Sequence, residues 1–302
     1  MRKDVCAAID IGTNAVRFSV ADVYQEKSGK KKVSRQVFLR VPIRLGAYKG
    51  EGKSEISDYL VGQLIKSLKS FRLLMDIFQV TSYEVVATSA LREASNRFLI
   101  LTRVFHETEF RIKLLSDQQE AKITAQAVAS KLNLSSNYLL HIDIGGGSTE
   151  LTLLDGDNIL LAQSFQIGTV RLLQNQVGAA QWEKLRDFIH QIVLHKNKSM
   201  VISGSGGAID TIFCLVKKFA QHKKTNQLET DDLSSLKHLV AKQEKGTLAY
   251  NLDLSEDRAD VVLPAIDILG FCLNELPVKT LLVVDIGLAD GLMDFGENKH
   301  FG

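Results

Sequence analysis

The chain has 302 residues, enough for about two domains of ~150 residues each. Apolar residues make up 45% and charged residues 24%, the balance of an ordinary soluble globular protein. A net charge of +2 excludes a global field aimed at DNA or a membrane surface, and no apolar run reaches the ~20 residues of a membrane span.

The chain opens with a short apolar strand, "VCAAIDIG", a turn of Gly12, Thr13 and Asn14, and a second strand, "VRFSVADV". A third strand, within "KVSRQVFLRVPIRLG", follows a Lys-rich tip. Ile56, Leu60, Leu64, Leu68, Phe71 and Met75 recur at helical spacing, which predicts a long amphipathic helix over 55–78. "YEVVATSA" reads as a buried strand, "NRFLILTRVFHET" as a helix and "FRIKLLS" as a strand. Asp117 is expected to cap a helix through "QQEAKITAQAVASKL".

After "NLSSN" the pattern restarts. "YLLHIDIG" reads as a strand, "STELTLLDGDNILLAQSF" as a hairpin, "AAQWEKLRDFIHQIV" as a helix, "SMVISG" as a strand and "GGAIDTIFCLVKKFA" as a helix. Two helices are expected near 231–243 and 258–276, then the strand "KTLLVVDIG" and the helix "LADGLMDFGE". Setting Ile9 on Ile142 needs no gap as far as Asp22 on Asp155, so two domains with the same strand–turn–strand start are expected to face each other across a cleft. The third copy of the phrase, "VDIG" at 284–287, reads as a crossover, with Asp285 structural.

Asp followed by Gly and small residues between two strands makes a turn that can hold an anion. Glycine lets the backbone approach closely, and successive N–H groups form a concave nest. Thr13, Asn14, Ser148 and Thr149 add donors. Asp10 and Asp143 at the bases of the turns either cap those turns or hold Mg²⁺ beside phosphate. The duplication favours the second reading. "ISGSGGAID" is a third strand-to-helix loop, with Gly204, Ser205 and Gly206 offering N–H groups at a helix start. Arg92 either forks onto phosphate or makes a salt bridge with Glu93 or a neighbour. Glu120 lies in a first helical turn, where most carboxylates merely satisfy the helix dipole. The basic runs Lys27–Lys32 and Lys217–Lys224 read as solvated faces, with a polyanion guide as the alternative. Cys6, Cys214 and Cys272 lack a CxxC pair and read as buried thiols of a reducing compartment. The N-terminus meets charge and a Gly turn too early for a signal peptide, so a cytoplasmic protein is expected.

Together, "AAIDIGTNAVRFSVADV", "IRLG", "ATSALREASN", "LLSDQQEAKITAQAV", "HIDIGGGSTEL", "IGTVRL", "SGSGGAI", "ADVVLPAIDIL" and "VDIGLADGLM" resemble the Ppx/GppA phosphatase family, the exopolyphosphatases and guanosine pentaphosphate phosphohydrolases. The resemblance implies an α/β protein of two ribonuclease-H-like, actin-like ATPase domains around an interdomain cleft. The first domain would span 1–121, joined by the C-terminal helix 287–302, and the second 122–286. It implies hydrolysis of terminal phosphate from polyphosphate or guanosine pentaphosphate, a non-catalytic polyphosphate or nucleotide sensor being the alternative from another class. Glu120 would be the catalytic base and Arg92 a phosphate-contacting catalytic Arg. Gly12, Thr13, Asn14, Gly145, Gly146, Gly147, Ser148 and Thr149 would bind phosphate. Asp10, Asp143 and Glu150 would hold Mg²⁺ or another divalent cation. Family members are often dimers, and neither DNA nor membrane is an expected partner. The chain departs from the pattern at Thr13, Ala15, Ala47, Tyr48, Gln119 and "GLADG", and the C-terminal helical extension of longer members is not expected here.

Overall fold

The structure, a computed structural model, describes residues 2–25, 31–46, 55–132, 137–195, 197–219, 226–244, 246–295 and 299–300. The chain forms two compact units, Met1–Ala127 with Gly287–Gly302, and Val128–Ile286.

Unit 1 begins with β1 (Arg2–Ile11), β2 (Val16–Gln25) and β3 (Lys31–Val41). There follow α1 (Asp58–Ile77), β4 (Ser82–Ala87), α2 (Ser89–Glu93), α3 (Arg97–Thr108), β5 (Lys113–Leu114) and α4 (Asp117–Leu132), the last running past the unit boundary. The first three strands are successively antiparallel, β4 adds parallel to β1 and β5 parallel to β4, in the order β3-β2-β1-β4-β5. β1 is apolar on both faces because it is central. Ala7, Ile9 and Ile11 enter one core, and Cys6 and Ala8 enter the core behind it. Ser57 caps α1 through a bond from the Leu60 N–H. Val61, Leu64, Ile65, Leu68, Phe71 and Met75 then fall on one buried stripe, with Phe71 stacked 4.7 Å from Phe18.

Unit 2 contains β6 (Tyr138–Ile144), β7 (Thr149–Asp155), β8 (Asn158–Phe165), α5 (Thr169–Leu173), α6 (Ala179–Val193), β9 (Met200–Ser205) and α7 (Gly207–Phe219). β10 (Gln227–Glu229), α8 (Thr230–Ala241), α9 (Leu248–Leu252), α10 (Glu256–Ala259), α11 (Val262–Glu275) and β11 (Thr280–Val283) complete it. Its sheet runs β8-β7-β6-β9-β11-β10. Both units are therefore α/β, with mixed sheets of the ribonuclease-H-like order. The duplication extends below the level of topology. The β2–β3 register shifts between Val20 and Ala21, and the β7–β8 register shifts between Leu153 and Leu154, the same positions once Ile9 is set on Ile142. A bulge bends its strand and increases local twist, so the two hairpins are bent alike.

The chain then returns to unit 1 as α12 (Leu288–Phe295) and β12 (Lys299–His300), which pairs with β4. Leu288, Ala289, Leu292 and Met293 cover the face that presents Cys6, Ala8, Ala21, Val23 and Val86. Asp290 accepts two bonds from the Arg35 guanidinium, at 2.7 and 2.8 Å, and Gly291 lies so close to α4 that a Cβ would meet the Ile123 carbonyl at 2.7 Å.

Several local expectations are corrected. Ser116, not Asp117, caps α4: the Gln119 side chain accepts from the Ser116 N–H at 2.9 Å, and the Ser116 hydroxyl accepts from the Gln119 N–H at 3.3 Å. This is a reciprocal capping box, a role that Gln fills as well as Glu, and it accounts for Gln119. "FRIKLLS" yields only the two-residue β5, and "KTLLVVDIG" leaves the sheet after Val283. The helix expected over 258–276 is split into α10 and α11, with Pro264 in the first turn of α11, where its missing N–H costs nothing. Cys6 and Cys272 are buried, but Cys214 is exposed on α7. Ala47 and Tyr48 and most of both Lys-rich runs lie outside the described residues. Of the second run, Lys217 lies 4.5 Å from the Phe213 ring centroid and Lys218 pairs with Asp253 at 3.7 Å.

His141 locks the centre of the second sheet. Its Nδ1 lies 3.0 Å from the Ser203 hydroxyl and its Nε2 3.1 Å from the Ser205 hydroxyl, so one ring nitrogen donates and the other accepts. The ring is buried, and burial pushes it from 6.5 down to about 4. The folded state thus takes up this proton at lower pH than the unfolded chain, and stability is lost as pH falls from about 6.5 to about 4. The interval corresponds to about 3 kcal/mol. Urea unfolding at pH 7.5 and pH 4.5 checks this: the wild type should lose stability by more than His141→Gln does, and equal losses would refute the assignment.

Candidate functional site

The turn of unit 1 closes with a bond from the Gly12 N–H to the Ala15 carbonyl, 3.1 Å. The Thr13 carbonyl accepts from the Gly46 N–H at 3.0 Å, and the Thr13 hydroxyl lies 2.7 Å from the Ser89 hydroxyl at the start of α2. Arg44 Nε donates to the Asn14 amide oxygen at 3.0 Å, leaving the amide nitrogen as the donating end. Asp10 sits at the base, 5% exposed, opposite Arg17 in the β1–β2 register and paired with it at 2.9 Å. Burial pushes the Asp10 carboxyl above its ordinary value, against the pull of Arg17. The Arg17 guanidinium thus compensates Asp10 within unit 1.

Arg92 stands on α2. It donates to the Leu115 carbonyl at 2.7 Å and pairs with Asp117, so its salt-bridge partner is not Glu93 but the first residue of α4. Glu120 is half-buried in that same first turn, its N–H bonded to the Ser116 carbonyl at 3.0 Å. The capping box and Arg92 together fix the turn that carries Glu120.

In unit 2 the corresponding turn closes from the Gly145 N–H to the Ser148 carbonyl at 2.9 Å. Its carbonyls are drawn to the start of α5. The Thr169 N–H donates to Gly145 O at 3.0 Å, the Val170 N–H to Gly146 O at 2.9 Å, and Arg171 Nε to Gly147 O at 2.6 Å. The C=O and N–H of one trans peptide point in opposite directions. The N–H groups of Gly146, Gly147 and Ser148 therefore face away from α5, as a row of donors. Thr149 is not among the free donors, because its hydroxyl bonds to the Ile167 carbonyl and is fully buried.

Asp143 and Glu150 stand directly opposite each other on β6 and β7. Directly opposed carboxylates, Cβ atoms ~5 Å apart on one face, repel unless a cation joins them. Glu150 is buried and accepts from the Ser164 hydroxyl at 2.7 Å. Asp143 is flanked by the third loop: Gly206 has φ +94°, and a Cβ there would lie 2.4 Å from Asp143 Oδ1. The start of α7 thus abuts the Asp143 carboxylate. The Ser205 hydroxyl is committed to His141, and Gly204 is paired within the sheet to Ile142 on one side and Val283 on the other. The donor set of Asp143 and Glu150 suits Mg²⁺, which takes one or two carboxylates and keeps its waters.

Sequence reasoning passed over Arg17, Arg44 and Arg171. The register identity of Arg17 with Glu150 was present in the gapless overlay of the two turns, and "IRLG" and "IGTVRL" contained the other two.

Residues 23–300 match the Ppx/GppA phosphatase family. The chain is 26% identical over 323 residues to a bifunctional 3-dehydroquinate synthase/phosphatase of Fusobacterium nucleatum, covering 97% of this chain and 47% of that protein. It is 28% identical over 186 residues to exopolyphosphatase 1 of Mycobacterium leprae, covering 60% of this chain and 53% of that one. The chain thus spans about half the length of these curated relatives. The crystal structure of the Aquifex aeolicus Ppx/GppA family member superposes with a TM-score of 0.74 at 25% identity, covering 97% of both chains.

The contrast between the two turns predicts their responses to mutation. Arg17→Met strands a buried carboxylate and should cost roughly 3 kcal/mol in urea unfolding, while Asp10→Asn/Arg17→Met recovers much of the loss. A double variant no more stable than Arg17→Met would count against a compensating pair.

Proposed function

The chain belongs to the Ppx/GppA phosphatase family, and on that footing we propose that it is a phosphoanhydride hydrolase releasing terminal phosphate from inorganic polyphosphate. The observation that carries this reading is the 145–149 turn. Its carbonyls are taken by α5 and Arg171, so three successive N–H groups are presented together, beside the opposed carboxylates of Asp143 and Glu150. Phosphoryl transfer asks a protein mainly for positioning and charge neutralisation, and this turn supports both. The exopolyphosphatase from Mycobacterium leprae among its relatives supports the choice of substrate.

In this reading the Gly145–Thr149 turn holds phosphate oxygens through the N–H groups of Gly146, Gly147 and Ser148, and the Gly12–Asn14 turn through those of Thr13 and Asn14 and the Asn14 amide. Asp143 and Glu150 hold Mg²⁺ or another divalent cation, which when bound would neutralise charge on the phosphoryl oxygens. Glu120, matched to the family's catalytic base, orients a water and takes its proton as the water oxygen bonds to the terminal phosphorus. The bridging P–O bond breaks, and the shortened polyphosphate leaves with the electron pair. Arg92 holds the turn bearing Glu120, and a phosphate would compete with Asp117 for its guanidinium.

Glu120→Gln should lower phosphate release from polyphosphate by about 100-fold or more, with polyphosphate binding retained. Glu150→Gln should abolish the rise in thermal midpoint on adding Mg²⁺. Phosphate release is to be measured with polyphosphate and with guanosine pentaphosphate, with and without Mg²⁺. Release from guanosine pentaphosphate alone would replace the proposed substrate, and binding without any release would replace the hydrolase by a sensor.

A further inference from the structure

Two motifs named in the sequence, "IRLG" and "IGTVRL", make and break no bond in the reaction described above. They lie at the same place in each unit, immediately after the third strand. Both strands end in a three-residue γ-turn, with the Ile43 N–H bonded to Val41 O at 2.8 Å and the Ile167 N–H bonded to Phe165 O at 2.7 Å. Beyond the turn each segment lies across the phosphate loop of its own unit and brings it a glycine and an arginine.

The contacts fall on corresponding loop residues. With Ile9 set on Ile142, Thr13 corresponds to Gly146 and Asn14 to Gly147. Gly46 presses on Thr13, where a Cβ would come within 2.3 Å of Thr13 Cγ2, and Gly168 presses on Gly146, where a Cβ would come within 2.3 Å of its carbonyl oxygen. Arg44 donates to the Asn14 side chain at 3.0 Å, and Arg171 to the Gly147 carbonyl at 2.6 Å. The order of the two residues is reversed, Arg before Gly in unit 1 and Gly before Arg in unit 2. The device is the same although its spelling differs, which is why overlaying the sequences does not reveal it.

We infer that Arg44 and Arg171 are positioning residues, each turning the acceptor end of its loop toward itself so that the donor end faces phosphate. For Arg171 the donor is the Ser148 N–H, in the same peptide as the Gly147 carbonyl. For Arg44 it is the Asn14 amide nitrogen. The glycines are required because any side chain at 46 or 168 would push the loop away. The inference rests on the reading of these loops as phosphate-binding.

The test measures phosphate release from polyphosphate across a concentration range, and binding of inorganic tripolyphosphate, for the wild-type chain, Arg44→Ala, Arg171→Ala, Arg171→Lys and Gly168→Ala. Arg171→Ala and Arg44→Ala should each raise KM and the tripolyphosphate Kd about tenfold, with a smaller fall in kcat and little change in thermal midpoint. Arg171→Lys, which keeps a donor, should recover part of the loss, and Gly168→Ala should reproduce it with Arg171 intact. KM and Kd within twofold of wild type in both alanine variants overturn the inference while leaving the hydrolase reading in place. If one alanine variant does not fold, the other decides by the same criterion. A wild-type chain that neither binds tripolyphosphate nor releases phosphate overturns the functional reading and this one with it.

Discussion

Each unit carries an aspartate at the end of a buried central strand, and the structure depends on how that charge is compensated. A carboxylate removed from water must be paired, hydrogen-bonded or bound to a cation. Unit 1 pairs Asp10 with Arg17 across the hairpin. Unit 2 places Glu150 at the corresponding position and adds the Ser164 hydroxyl and the Gly206 backbone around the two acids. One architecture has thus been given opposite electrostatics by one position. The unit with the guanidinium compensates its aspartate by an ion pair, whereas the other sets a second acid at the same position, a donor set that suits a cation.

The geometry that permits this is repeated closely. Both central hairpins close with a four-residue turn, in both the third strand carries a bulge opposite the same position of the second, and both are crossed by a segment leaving the third strand. A hairpin turn with its carbonyls held on one side must show its N–H groups on the other, because the peptide plane is rigid. Anion binding at such a turn therefore needs no charged side chain in contact with the ligand. It needs acceptors to be engaged elsewhere, and α5 with Arg171 engages them in unit 2.

Much of the fold was legible. The apolar stripe of α1, the two-sided burial of β1 and β6, and the glycine-marked turns follow from local periodicity and turn chemistry. The errors were of particular kinds. Asp117 looked like a cap because an acid before a helix commonly is one, yet Ser116 and Gln119 satisfy the terminal N–H groups together, one residue earlier. β5 is two residues long, pairing only with Val86 and Ala87 of β4, while β12 pairs with Ser82 and Tyr83 of the same strand. Cys214 looked like a buried thiol, but it lies on the outer side of α7 while Ile212, Leu215 and Val216 take the inner one.

Of the candidate site, the sequence by itself determined the loops, the acids and the family, since these depend on residue types at short fixed spacings. It also determined that two hairpins were related, from a gapless overlay. Only the tertiary structure decided which acid is already neutralised, because whether Asp10 meets a cation or a guanidinium depends on the cross-strand partner that register sets. Only the tertiary structure showed that the Ser205 and Thr149 hydroxyls are spent on His141 and Ile167, and that Arg44 and Arg171 contact corresponding loop residues in opposite spelling. Hydrogen bonds join groups far apart in the chain, and periodicity carries no record of where such groups meet.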